Sequence, residues 1–361
     1  MAATMQDVAR LAGVSVKTVS NVVNGYPHIR PGTRDRVLAA IEELGYQLNL
    51  TARNLRTGRT GIIGLAVPEL SLPYFAELAD SVIDAAEECG LTVLIEQHGG
   101  RREREIEVLT GARRHLTDGL IYSPLGLGPG DEHLLDVGYP LVLLGERIFH
   151  GPVDHVTMAN VDAAAAATRH LLALGRRRIA VVGVHPGEVV GSAALRLAGY
   201  RAALEEAGIA PDPALEGEAG LWHRATGAAA MARLLDDGAA PDAVFGMNDA
   251  LALGAMHELQ VRGLRVPEDV AVIGFDAIDE GRYSNPTLTT VDPGREVIAE
   301  TAVRLLHERT SGAGAGEPQR VVAAYRIDVG GSTDPSRRTA SPEPGETTTP
   351  VPDDVEVPST R

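Results

Sequence analysis

The sequence predicts an α/β protein in which a small all-helical head precedes a body built on two parallel sheets. Three observations lead there. Apolar stripes of helical period, punctuated by glycine and proline, fill the first 45 residues. From Gly61 onward, short apolar runs alternate with helix-length segments, the pattern of a parallel sheet. The two parts also differ in charge. Residues 1–60 hold eight basic and four acidic side chains, a formal +4, whereas the remaining 301 hold 25 basic and 45 acidic, −20, within a whole-chain charge of −16. A basic end on an acidic body suggests a nucleic-acid module joined to something else.

In the head, TMQDVARLAG (4–13) reads as a helix with Thr4 as N-cap, Asp7 in its first turn, Val8, Leu11 and Ala12 inward, and Gly13 as its stop. Ser15 opens the next helix, VKTVSNVVN, with Val19, Val22 and Val23 on one face; Gly25 and Pro27 close it. A third helix takes Thr33 as its cap after Pro31, turns Val37, Leu38, Ile41 and Leu44 inward, and ends at Gly45. Two helices joined by a short glycine-containing turn make a helix-turn-helix. A plain helical bundle is the competing reading; the basic balance and the polar outer face of the second helix favour DNA.

In the body, strands at about 61–67, 91–97, 118–123 and 141–145 form one set, and those at about 178–184, 242–247 and 270–275 another. Helices are expected between them at about 74–88, 101–115, 162–174, 192–207, 226–237 and 249–262. Two such sheets with a cleft between them suit a small-molecule site at the strand ends. Tyr74 and Phe75 follow the first strand, Arg196 lies in ALRLAGYRAAL, Trp222 is the only tryptophan, and Asp276 ends VAVIGFD. An aromatic face can cover the apolar face of a sugar or a base, while Arg and Asp make charge-assisted hydrogen bonds to hydroxyls. On the residues alone the ordinary readings are favoured: Arg196 on a helix surface, Asp276 as a helix cap and Phe75 in the core.

The totals exclude other classes. A single cysteine, Cys89, rules out a disulfide framework and a Cys-rich zinc site. No apolar run reaches about 18 residues and no hydrophobic signal core opens the chain, so a cytoplasmic protein with no membrane partner is expected. GLGPG at 126–130 lacks the dinucleotide spacing, the eleven histidines lack metal-ligand spacing, and neither a nucleophile elbow nor a Walker motif is present. The reading therefore assigns no catalytic residue, no metal, no cofactor and no enzymatic activity. Residues 333–361 are rich in Pro, Thr and Ser and are expected to form a disordered tail.

The runs TMQDVARLAGVSVKTVSNVVNG, TRDRVLAAIEELGY and ARNLRTGRTGIIGLAVP resemble the N-terminus of the lac/gal repressor (LacI) family of bacterial transcription regulators. The likeness is dense over about sixty residues and continues more loosely to about residue 334. It implies a helix-turn-helix domain at 1–48, a hinge helix at 49–60, and an effector-binding and dimerisation domain at 61–332. That domain would resemble periplasmic sugar-binding proteins, with subdomains near 61–158 plus 290–320 and near 159–288 plus 321–332.

By the same resemblance the helix from Val16 enters the major groove, with Val16, Lys17 and Asn21 at base-reading positions. Lys17 would donate to guanine, Val16 touch a thymine methyl, and Asn21 bond adenine; many members have Arg where Asn21 stands, hence adenine in place of guanine. Packing is the alternative for Val16. Thr18, Ser20 and Asn24 fall where members contact phosphate. In NLTARNLRTGR, a solvated linker on its residues alone, the resemblance reads a hinge helix that folds on DNA, with Arg53 beside Leu55 and Leu55 as a minor-groove wedge.

Matching positions of the family's effector pocket include Arg196, Trp222, Asn248 and Asp276. Ser123 and Glu146 join Tyr74 and Phe75 as further candidates, Glu146 standing where the family more often has Asp. The resulting expectation is a DNA-binding regulator, a repressor, that acts as a homodimer on a palindromic double-stranded operator under control of a small-molecule effector. The dimer is preferred because the tail has no leucine heptad. A carbohydrate is the favoured effector and a purine or other metabolite the alternative. A solute-binding transport protein would share the acidic body but not the basic helix-turn-helix.

Overall fold

The computed structural model describes residues 3–23, 26–46, 59–312 and 316–337. It divides into two units, residues 1–60 and 61–361. Asn24, Arg53, Leu55, nearly all of the expected hinge helix and the tail from residue 338 lie outside the described residues.

The head contains α1 (Met5–Ala12), α2 (Val16–Val23) and α3 (Pro31–Leu44). Thr4 and Asp7 form a reciprocal cap on α1: the Asp7 amide donates to Thr4 Oγ1 at 3.3 Å and the Thr4 amide to Asp7 Oδ2 at 3.0 Å. The Thr4 hydrogen bonds hold the Asp7 carboxyl below its usual value. Gly13 ends the helix in the left-handed region, φ 64°. Ser15 caps α2 by accepting from the Thr18 amide at 3.1 Å. Val8, Val19 and Val37 are fully buried at the centre, with Ala9, Ala12, Val22, Ala40 and Tyr46 around them.

Three details differ from the sequence reading. Leu11 is 47% exposed and Leu38 50%, while Ala9 and Ala40 take the buried positions. A three-helix head this small buries only a narrow arc of each helix, and both leucines fall outside it. Thr33 is not a cap: α3 begins at Pro31, whose fixed φ suits a first helical turn, with Arg30 before it and no side-chain cap.

Among its described residues the larger unit holds twelve strands in two sheets. In the first, β1 (Ile62–Val67), β2 (Thr92–Gln97), β3 (Gly119–Tyr122), β4 (Leu141–Leu144), β5 (Asp154–Met158) and β11 (Arg320–Ala323) run in the order β11-β5-β4-β3-β1-β2, all parallel. In the second, β6 (Ile179–Val184), β7 (Glu216–Glu218), β8 (Ala243–Gly246), β9 (Ala271–Phe275), β10 (Thr289–Asp292) and β12 (Arg326–Asp328) run in the order β12-β10-β9-β8-β6-β7, with β12 alone antiparallel.

Helices α4 (Pro73–Glu88), α5 (Arg102–Thr110) and α11 (Arg295–Ser311) pack on the first sheet. α6 (Asn160–Ala173), α7 (Ser192–Glu206), α8 (Arg224–Asp236) and α9 (Asp249–Val261) pack on the second, and the single-turn α10 (Asp279–Arg282) follows β9. The helix expected over 101–115 is interrupted at Gly111, after which Ala112–Leu116 form a 3₁₀ turn.

The chain passes between sheets after β5, after β10 and after β11. Residues 290–292, expected with the first subdomain, therefore pair with β9 and β12 in the second, and 321–323, expected with the second, pair with β5 in the first. Thr333, expected in the tail, is buried and bonded to Thr289 and His170.

Helix pairs on the second sheet approach closely through glycine. A Cβ at Gly254 of α9 would fall against the carbonyl oxygen of Arg224 in α8, and one at Gly227 of α8 against the backbone of Leu251. Neither contact can yield without moving a helix. Gly254→Val is therefore expected to destabilise the body by about 2 kcal/mol or more, the cost of overpacking a filled interface. Thermal unfolding checks this, and an unchanged midpoint would show that the two helices are not in the close contact described.

Candidate effector cleft and DNA-facing helix

On α2, Val16 is 42% exposed and Lys17 is exposed beside it, with Thr18 and Asn21 half-buried. The Thr18 hydroxyl is engaged with Ser15 Oγ at 2.9 Å. Ser20 is 8% exposed, its position adjoining the Val19 packing face.

In the larger unit, a cleft with about 1350 Å³ of empty space, open to solvent, lies between the two sheets. All eight sequence-predicted positions, Tyr74, Phe75, Ser123, Glu146, Arg196, Trp222, Asn248 and Asp276, line it. The topology explains the convergence. Ser123, Glu146, Asn248 and Asp276 follow the C-terminal ends of parallel strands β3, β4, β8 and β9, and strand ends are where an open α/β sheet leaves a crevice.

Arg196 is not a surface residue. It is 2% exposed, and its guanidinium lies 3.6 Å from the centroid of the Phe275 ring and 5.4 Å from that of Trp222. Its Nε donates to Asn160 Oδ1 at 2.7 Å, one Nη donates to the Met247 carbonyl, and the other reaches Met158 Sδ at 3.5 Å. Asp276 Oδ1 stands 3.6 Å from that guanidinium. Asp276 occupies a backbone conformation rare for a non-glycine residue, φ 113°, followed by Ala277 at φ 51°. Strain of this kind persists where surrounding structure imposes it. Here the Asp276 amide donates to the Val291 carbonyl at 2.8 Å, and Arg295 donates to the carbonyls of Asp276 and Ala277 at 3.2 and 3.4 Å.

Asn248 doubles as the N-cap of α9, accepting from the Leu251 amide at 2.8 Å and donating to the Trp222 carbonyl at 3.2 Å. Trp222 Nε1 donates to the Gly183 carbonyl at 3.0 Å, which fixes the indole in the wall. Tyr74 and Phe75 meet edge to face at 5.2 Å, and Phe75 also packs on the first core. Burial, reinforced by Asp276, pushes the Tyr74 hydroxyl above its usual range.

Sequence reasoning named Glu146 but missed the contacts across the cleft and the other residues that make them. From the first subdomain, Glu146 accepts from the Ser192 hydroxyl at 2.7 Å, and Arg147 donates to the Val190 carbonyl at 2.8 Å. Glu69 lies 3.2 Å from His223, and Glu77 accepts from the Asp279 amide at 2.9 Å. Each pair joins residues dozens to hundreds of positions apart, so no local signal could reveal them. Glu105 was missed as well. Fully buried, it accepts from the Leu125, Gly126 and Leu127 amides at 2.8–3.0 Å, from the Tyr122 hydroxyl at 2.8 Å, and pairs with His98 at 3.0 Å. Burial pushes its carboxyl up, but these donors outweigh burial and hold it down at about 2. Glu105 thus fixes the SPLGLG loop at the cleft edge.

The family becomes clear once this geometry is set beside known proteins. Residues 4–49 match the model of bacterial regulatory proteins, lacI family, and residues 168–333 match that of a periplasmic binding protein-like domain. The chain is 36% identical to the transcriptional regulator CelR of Thermobifida fusca, covering 90% of this chain and 97% of that protein. The chain belongs to the LacI family.

The repressor PurR of Vibrio atlanticus is 32% identical over 85% of this chain and 92% of its own length. Among solved structures, a LacI-family regulator from Sanguibacter keddieii shares 55% identity with a TM-score of 0.71, covering 77% of this chain and all of that one. A CelR–cellobiose complex shares 33% identity with a TM-score of 0.68, covering 91% and 99%. The lac repressor dimer bound to operator and the anti-inducer ONPF shares 28% identity with a TM-score of 0.78, covering 92% and 99%. This protein is thus a DNA-binding transcriptional regulator with an effector-binding domain. No helix among the described residues is long and apolar enough to cross a membrane.

Burial is the main force on the Asp276 carboxyl; Arg196 and Arg295 oppose it, Glu146 and Glu77 add to it, and the result is a rise to about 7. A carboxyl raised in the folded state contributes stability that is present below its ordinary value of 3.8 and lost as pH rises through about 7. Carbon-detected NMR of aspartate-labelled protein should therefore show a carboxyl titrating near pH 7 that is absent in Asp276→Asn, beside the fully buried Asp249, which burial also pushes up. Titration of every aspartate near 4 would contradict the desolvated site.

Proposed function

We propose that this protein represses transcription as a homodimer on a roughly palindromic operator, and that a small metabolite held in the cleft controls its affinity for DNA. The observation that carries the reading is the convergence of Arg196, Asp276, Asn248 and Trp222 from one subdomain with Tyr74, Phe75, Ser123 and Glu146 from the other. A ligand gripped by both subdomains has different contacts when their setting changes, which is what differential binding to two states requires. The favoured effector is a sugar or sugar derivative, since an indole face beside acceptor and donor side chains suits a ring with hydroxyls. One relative bears on this: the CelR complex holds cellobiose; a purine or other metabolite is the second reading. A protein working on the chromosome acts in the cytoplasm.

On DNA, Lys17 and Asn21 read bases and the exposed Val16 meets a thymine methyl, while Thr18 positions the helix. Arg53 and the Leu55 wedge belong to the same proposal through the family's motif. The experiment is operator selection from random DNA followed by titration across salt. Wild-type affinity should fall steeply with salt, because each neutralised phosphate releases counterions. Lys17→Ala and Asn21→Ala should each relax the preference at a single base pair per half-site, worth about 1–3 kcal/mol. Failure to select any sequence, with or without small molecules present, would defeat the proposal.

A further inference from the structure

The charges of the cleft wall specify more than a polar ligand. Four carboxylates line it, Glu69, Glu146, Glu188 and Asp276, against two guanidiniums, Arg147 and Arg196. Both guanidiniums are already engaged by the protein. Arg147 donates to the carbonyls of Val190 and Leu127 and stands 3.7 Å from Glu188. Arg196 is taken up by Asn160, the Met247 carbonyl, Met158 and the Phe275 ring, with Asp276 the nearest charge. The two histidines on the wall are paired as well: His185 Nδ1 lies 2.8 Å from Glu188, which raises its pKa, and His223 lies 3.2 Å from Glu69.

The acceptors are the groups left over. Asp276 is 5% exposed, lines the cleft, and has Arg196 at 3.6 Å as its ion-pair contact; no hydrogen-bond donor is recorded on its carboxylate among the described residues. Glu146 is 6% exposed, with one oxygen held by Ser192 and the other only 3.4 Å from the Thr157 hydroxyl. A buried acceptor aimed into a cavity is satisfied by a ligand donor, whereas at about pH 8 and above, where Asp276 is ionised, an anion brought there would meet uncompensated like charge, and the tests below are run at that pH.

We propose that the cleft excludes anions: it takes a ligand rich in hydroxyl or amino donors and refuses the same ligand once it carries a phosphate or carboxylate. This rests on the cleft being the effector site. It divides sugars, amino sugars and neutral bases from sugar phosphates and uronates, a distinction that the aromatic wall alone does not make.

The sole tryptophan makes the idea testable without knowing the effector, because Trp222 fluorescence reports from the wall itself. Quenching by iodide, caesium and neutral acrylamide is compared at constant ionic strength with that of N-acetyltryptophanamide. A negative potential of one kT depletes an anion and enriches a cation by about 3-fold each. The iodide constant, taken relative to acrylamide, should therefore fall about 3-fold below that of the free indole, and the caesium constant should rise. In the Glu146→Gln/Asp276→Asn double variant the iodide ratio should recover at least half of that deficit. A wild-type iodide ratio equal to that of free indole overturns the proposal.

A second arm measures thermal stabilisation by glucose, glucosamine and cellobiose against glucuronate and glucose 6-phosphate. Stabilisation by an anion equal to or above that by its neutral parent also overturns the proposal. A depressed iodide ratio with no response to any sugar supports anion exclusion and removes the sugar reading.

Discussion

A guanidinium taken out of water must be fully compensated, and Arg196 is the point on which the second subdomain's wall is organised. At 2% exposure it would carry a large desolvation penalty if left unpaired. Its partners come from the start of α6, the ends of β5 and β8, and the end of β9, so one side chain from α7 ties four chain segments to a common centre. Truncating one member of a buried charged constellation typically costs about 3–5 kcal/mol, because the remaining groups stay buried and unpaired. Asp276 and the Trp222 ring both stand against this guanidinium, at 3.6 and 5.4 Å.

Much of the fold could be read from the sequence because its central strands are continuous apolar runs. IIGLAV, IAVVGV and AVIGF are buried on both faces and stand out without any knowledge of their partners. The segments that escaped notice lack that mark. β5 reads DHVTM because its buried Asp154 is neutralised by Arg309 at 2.7 Å, a partner 155 residues away. β10 begins with two threonines whose hydroxyls bond Asp249, Gly330 and Thr333. In the head, period-counting selected Leu11 and Leu38 where the packing uses alanine, since periodicity locates a stripe but not its width.

The cleft divides in the same way. Its wall residues were named by matching a family pattern, and on local grounds their ordinary alternatives, a surface arginine or a core phenylalanine, were favoured. The structure brings all eight to one cavity. The contacts that close the cavity, from Glu146, Arg147, Glu69 and Glu77, exist only between the two subdomains and left no trace in either segment alone. Charge shows the same limit. The whole-chain value of −16 argues against nucleic acid, yet it is the sum of a basic head and an acidic body that face different partners.

The central claim is that the cleft and the DNA-binding head share one equilibrium. Coupling between two sites is reciprocal, so the measurement is a closed thermodynamic cycle: operator affinity with and without saturating effector, and effector affinity with and without operator. The account predicts that the two ratios are equal and lie between about 5 and 150, the usual range for coupled sites. An effector that binds in the cleft while leaving operator affinity unchanged would contradict it.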